Sequence, residues 1–247
     1  MSGAATFGSA IHYALERLFK NMNMHQEKQF GSVEEMLKDF KWYMRKNQEA
    51  FTETEFKRRM EYGEDILPKY YNHYIAEWNK ITSVERSYRN VVVENIPLNG
   101  KLDKLEFDGT IVNVVDYKTG QFENAKKKFA RPNDEAVAKA KSENKEPSFE
   151  NLYGGDYWRQ SVFYKILMDN DQIKKWEMRS CEFDFVEPDK TSGEFHKQAV
   201  HIIPEDIEIV KQQITETYKH IQQKDFANGC GDKDCKWCNF TLEYIKQ

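Results

Sequence analysis

The sequence predicts a mixed α/β fold, a sheet held between helices, and three observations carry that prediction. Two strand-like runs flank Asp108-Gly109 inside residues 100–120, GKLDKLEFDGTIVNVVDYKTG, and form an antiparallel hairpin. Long stretches with apolar residues at helical spacing lie on both sides of that hairpin. Two more strand patterns follow the next helix. Consecutive strands, then a helix, then further strands place helices over a mixed sheet.

The elements follow in order. Residues 4–20 read as a helix, with Phe7, Ile11, Leu15 and Leu18 on one stripe and His12 beside it. Taken alone, His12 reads as a partly buried core histidine. Gly8, one turn earlier, lets the backbone approach another element closely. Ser32 and Glu35 form a capping box that opens a helix running to about residue 47. Residues 54–80 form a longer helix rich in tyrosine (Tyr62, Tyr70, Tyr71, Tyr74) with Trp78. The stripe is either core or an aromatic surface that stacks on bases; aromatic residues at helical spacing usually pack inward, which favours core.

Residues 81–94 read as a strand, with Glu85 in its polar-apolar alternation. The hairpin comes next. A turn centred on Asp108-Gly109 pairs Phe107 with Thr110, Asp103 with Val114 and Lys101 with Asp116. Asp103, Val112, Val114, Asp116 and Lys118 then share a face, and the two aspartates become diagonal neighbours. Two such carboxylates repel and need a counter-charge. The hairpin by itself leaves two readings open: a solvated, cross-paired strand end, or a cation site.

Residues 121–150 are polar and lysine-rich, a loop with a short helix at 134–142. Lys126, Lys127, Lys128 and Arg131 make a basic patch there. Residues 156–170 form a helix with Gln160 and Tyr164 one turn apart on one face. Residues 176–186 and 194–203 are strands, and Pro204 opens a helix to about residue 224. Three cysteines, Cys230, Cys235 and Cys238, close the chain as C-x4-C-x2-C.

Composition bounds the function. At 247 residues the chain fits one domain, expected over 1–247, with a helical arm at about 21–80, a sheet and helix at 81–203 and a tail at 204–247. No apolar run reaches membrane-spanning length, no secretory signal opens the chain, and a cytoplasmic location is expected. A net charge of −4 argues against coating nucleic acid by bulk positive charge. Lone Cys181 reads as a buried thiol. Without a secretory signal the cysteine tail favours metal binding over disulfides.

At this point the chain resembles a known superfamily. Asp103 with Asp116-Tyr117-Lys118 resembles the PD-(D/E)XK nuclease signature, on the hairpin where that fold carries it. Gly8-Ser9-Ala10-Ile11-His12 is similar to the histidine motif of its RecB-like branch, Gly100-Lys101-Leu102-Asp103 to G-x-x-D, Asp116 to Gly120 to D-Y-K-T-G, and Gln160 to Tyr164 to Q-x-x-x-Y. The resemblance implies a restriction-endonuclease-like mixed sheet flanked by helices, with an N-terminal helical arm. It implies that His12, Asp103, Asp116 and the Tyr117 carbonyl hold Mg²⁺ or Mn²⁺. Lys118 then orients or activates the attacking water and stabilises charge on the phosphate, Gln160 and Tyr164 support the site and contact DNA, and Glu85 is a candidate supporting acid.

It further implies a DNA exonuclease with a helicase module as partner in a longer protein, acting in repair and recombination. No Walker-type phosphate loop occurs, so the chain is not itself that motor. Some relatives of this branch bind an iron–sulfur cluster through one upstream and three C-terminal cysteines. Here no cysteine precedes His12, and Tyr244 stands at the last expected position. A cluster completed from outside the chain, a zinc site and unliganded thiols remain open, with thiols ranked first. The rival to catalysis is a degenerate nuclease fold that only grips DNA. A further rival is an interaction domain whose hairpin merely packs.

Overall fold

The computed structural model describes residues 2–173, 175–225, 229, 235 and 237–240. Three helices lead: α1 (Gly3–Met24), α2 (Val33–Lys46) and α3 (Glu53–Tyr74). Side-chain caps at Ser2, Ser32 and Thr52 start them, and Ser32 with Glu35 makes the full capping box. Strands β1 (Thr82–Val93), β2 (Ile96–Asp108) and β3 (Ile111–Lys118) follow. A 3-10 run at Phe122–Phe129 and helices α4 (Asp134–Ser142), α5 (Phe149–Tyr153) and α6 (Asp156–Asp169) come next. Strands β4 (Glu177–Phe185) and β5 (His196–Val200) and helix α7 (Pro204–Gln223) complete the fold.

The five strands lie in the order β1-β2-β3-β4-β5. All neighbours are antiparallel except β3 and β4, which run parallel. A parallel neighbour needs a crossover, and α6 supplies it. Central strand β3 is covered on both faces, so its alternate residues fill two cores. Val112 and Val114 pack with Trp158, Val162 and Leu167 of α6 and Val210 of α7. Val115 and Tyr117 pack with Ile11, Phe19, Phe40, Leu67 and Tyr70 of the leading helices. Tyr70, Tyr74 and Trp78 are buried, so the aromatic stripe is core as read. Cys181 is buried in β4, as expected.

The hairpin departs from the sequence reading by two residues. Asp108 pairs with Ile111 and Leu105 with Val114, so the turn is Gly109-Thr110. Gly109 has φ +62° and Thr110 does not share that region. A turn that needs positive φ only at its first central position puts glycine there, which slides the register. Faces are unchanged, because a two-residue slide preserves the pleat. Asp103 now falls directly opposite Asp116 rather than diagonal to it.

Lys101 also differs. It pairs with Glu85 on β1 rather than with Asp116, because Asp116 has a nearer partner in Lys118. Arg131 leaves the expected basic patch: its guanidinium grips Asp206 at 2.7 Å through both Nε and Nη2 and fixes the start of α7. The third helix ends at Tyr74, short of the expected residue 80, and the polar 121–150 segment holds more helical structure than one short helix.

Candidate active site

Site residues converge where β2 and β3 part. The strand pairing runs from Asp108–Ile111 to Lys104–Val115. Beyond it the Tyr117 N–H donates to the Asp103 carboxylate (Oδ2, 3.0 Å). A side chain has replaced the backbone as acceptor, which holds Asp103 against the DYK segment. His12, from α1, brings Nδ1 to 3.2 Å from the same Asp103 oxygen. Gly8 permits this approach: a Cβ there would lie 3.2 Å from Thr119 Oγ1.

Asp116 is held from α6. Its Oδ1 accepts from Gln160 Nε2 (2.8 Å) and from the Tyr164 hydroxyl (2.7 Å). Its Oδ2 meets Lys118 Nζ at 2.6 Å. Lys118 also donates to Gln160 Oε1 (2.9 Å). The i, i+4 spacing of Gln160 and Tyr164 thus clamps one carboxylate oxygen from a single helix face. Lys118 stands 4.7 Å over the Tyr157 ring and 5.3 Å over that of Phe183. These rings shield the ammonium from water and strengthen its field.

Charge and burial oppose each other here. Burial pushes the Asp116 carboxyl up, with the Asp103 charge adding, while Lys118 and Tyr164 pull it down; the net direction is up. Burial alone would lower the His12 imidazole, but Asp103 and Asp116 outweigh it and hold its pKa above the usual 6.5. The same burial and the Asp116 charge keep the Tyr164 hydroxyl protonated and donating.

Two hard carboxylates and an imidazole are donors suited to Mg²⁺ or Mn²⁺. Asp116 Oδ2 is buried and already faces a cation, the Lys118 ammonium at 2.6 Å. Among the described residues no three His, Cys, Asp or Glu side chains close on one point. In this arrangement Lys118 pairs with Asp116 and His12 with Asp103.

A cleft of about 470 Å³ opens beside the pair, lined by His12, Tyr13, Glu16, Glu85, Lys101 and Asp103 among others. Glu85 lies opposite Asp103, between the Val84–Lys104 and Arg86–Leu102 pairs. Its φ is +55°. A non-glycine residue in that region costs about 1–3 kcal/mol, and such strain concentrates at functional sites. Glu16 escaped the sequence reading although it sits one turn after His12, a spacing that would have found it. Glu187 also escaped; it accepts from Gly120 N–H and from the Tyr62 hydroxyl, each at 2.7 Å. No local pattern announces that role. Of the cysteine tail, Cys230 lies outside the described residues, and Cys235 and Cys238 are half-buried.

Comparison with solved structures finds the crystal structure of a Eubacterium rectale protein, named there a "putative exonuclease". The two share 14% identity at a TM-score of 0.42, over 86% of this chain and 75% of that one. No curated protein matches. Among the described residues no helix is long and apolar enough to cross a membrane. A family model, in contrast, matches residues 2–241, nearly the whole chain, and the chain belongs to the PD-(D/E)XK nuclease superfamily.

Proposed function

We propose that this chain is a RecB-like, divalent-metal-dependent deoxyribonuclease that hydrolyses phosphodiester bonds from DNA ends. The observation that carries the reading is the convergence of His12, Asp103, Asp116, Lys118, Gln160 and Tyr164 from α1, the hairpin and α6. Held by His12, Asp103, Asp116 and the Tyr117 carbonyl, Mg²⁺ or Mn²⁺ would neutralise phosphate charge and acidify water. The chain's own groups do the rest. Lys118, aimed by Gln160, places positive charge against the phosphate and orients the water for in-line attack. Water oxygen bonds to phosphorus, the bond to the departing sugar oxygen breaks, and that oxygen leaves with a proton. Tyr164 fixes Asp116, and His12 fixes Asp103.

The resemblance to the RecB-like branch supports a helicase module as partner and a place in repair and recombination. An iron–sulfur cluster on the tail would need a further cysteine beside Cys230, Cys235 and Cys238. Such a cluster takes four thiolates. Cys181, the cysteine outside the tail, is buried in the sheet core.

Cleavage of end-labelled single-stranded and duplex DNA with Mg²⁺, Mn²⁺ or EDTA tests the proposal, beside Lys118→Ala. Metal-dependent cutting that the variant loses is the expected result. DNA binding without cutting under either metal would instead establish a binding module.

A further inference from the structure

A groove of about 820 Å³ lies outside the carboxylate cleft, between α5, α6, α7 and the start of β2. Its floor is apolar, with Leu98, Phe163 and Ile214. Its lining includes Gln160, the residue that bonds both Lys118 and Asp116. Its wall carries Phe149 and Tyr153, which are 56% and 45% exposed. Their rings lie 5.0 Å apart, and the Arg159 guanidinium stands 4.7 Å over Phe149. This short helix is not loosely attached. Ser148 caps it, and Gln213 of α7 donates to the Tyr153 carbonyl at 3.0 Å.

We infer that this groove receives the unpaired bases of a single-stranded nucleic acid whose backbone crosses Lys118, with Phe149 and Tyr153 as its stacking platform. The inference rests on the nuclease reading and adds the substrate class to it. Every base has a π-face, so exposed aromatic rings beside a cation hold single strands without reading sequence. A duplex hides those faces and presents phosphates, for which an apolar floor offers no partner. The acids in the groove are Asp156, which is paired to Arg159, and Glu216. The cationic track lies nearer the chemistry. Lys128 stands 5.0 Å over the same Tyr157 ring that carries Lys118. Bases in the groove and phosphates along the lysines is the division of labour that a single strand needs.

The test is fluorescence anisotropy in EDTA, where no cutting occurs, with a labelled oligothymidylate and a blunt duplex. Phe149→Ala with Tyr153→Ala should weaken single-strand binding about fivefold or more while duplex binding stays put. Phe149→Leu with Tyr153→Leu keeps apolar bulk and loses the π-faces; it should show the same loss with an unchanged Tm. Tyr153→Phe should bind like the parent. Unchanged single-strand affinity in the leucine pair, equal losses on duplex, or a parent that holds no single strand would overturn the inference. Because binding is read without metal, failure of the parent to cleave would sink the nuclease reading separately.

Discussion

Replacing Lys118 with methionine tests whether the ammonium is the counter-charge that allows Asp116 to be buried. Met keeps the stem's apolar contacts with Tyr157 and Phe183 and removes the charge. At 2.6 Å the gross Coulomb attraction is about 6 kcal/mol at an effective dielectric of 20. Breaking one side of a buried pair costs about 3–5 kcal/mol. The low end applies here, because Gln160 and Tyr164 still donate to the other oxygen. For a domain of this size that is a fall in Tm of about 6–12 °C. Urea unfolding in EDTA at neutral pH measures it directly. In a cycle with Asp116→Asn, the double variant should recover about 2–3 kcal/mol of the summed single losses, since the two side chains touch. Strict additivity would refute the pairing argument, whatever happens to activity.

Saturating Mg²⁺ or Mn²⁺, at about a hundred times its Kd, should stabilise the protein by about 2.7 kcal/mol, about 5–11 °C in Tm, and Asp103→Asn should abolish that gain in a thermal melt. Tyr164→Phe removes a buried donor to a carboxylate and should cost about 1.5–3 kcal/mol by denaturant titration, with a fall in kcat. Asp206 gives a pH signature. Burial pushes its carboxyl up, but Arg131 and the Ile203 N–H outweigh that and hold it below the usual 3.8. A depressed carboxyl contributes stability above its unfolded pKa and loses it as pH falls through the folded value. Arg131→Ala should therefore cost about 1–2 kcal/mol at pH ~7, discounted because the arginine is partly exposed, and much less once the pH has fallen below the folded pKa of Asp206.

The parts legible in the sequence are those set by short-range geometry. Helical spacing gave α1, the stripe of α3 and the shared face of Gln160 and Tyr164; the capping box and Pro204 marked two helix starts. The hairpin was visible, yet its register was not. Asp108-Gly109 allows two turn frames, and only the backbone angle at Thr110 selects one. The partners of Lys101 and Arg131 were illegible for another reason. Glu85 and Asp206 reach them through tertiary pairing, which no local pattern encodes. The clamp on Asp116 spans 44 and 48 positions of chain. Periodicity placed its two donors on one face, but their target came only from the motif resemblance. Tyr157 beneath Lys118 looked like any aromatic at the start of an amphipathic helix.

The parallel joint between β3 and β4 has a consequence for when the site is assembled. The hairpin closes locally and can form as soon as it leaves the ribosome, whereas β3 acquires its other neighbour only after the whole crossover has been made. Lys118 and Gln160 are 42 positions apart, and the core that holds α6 includes Cys181 and Phe183 of β4. On the proposed function, a nascent chain that carries both aspartates and the lysine still lacks the Gln160 and Tyr164 contacts to Asp116. Hydrolytic competence would then arrive late in synthesis, with the docking of one helix.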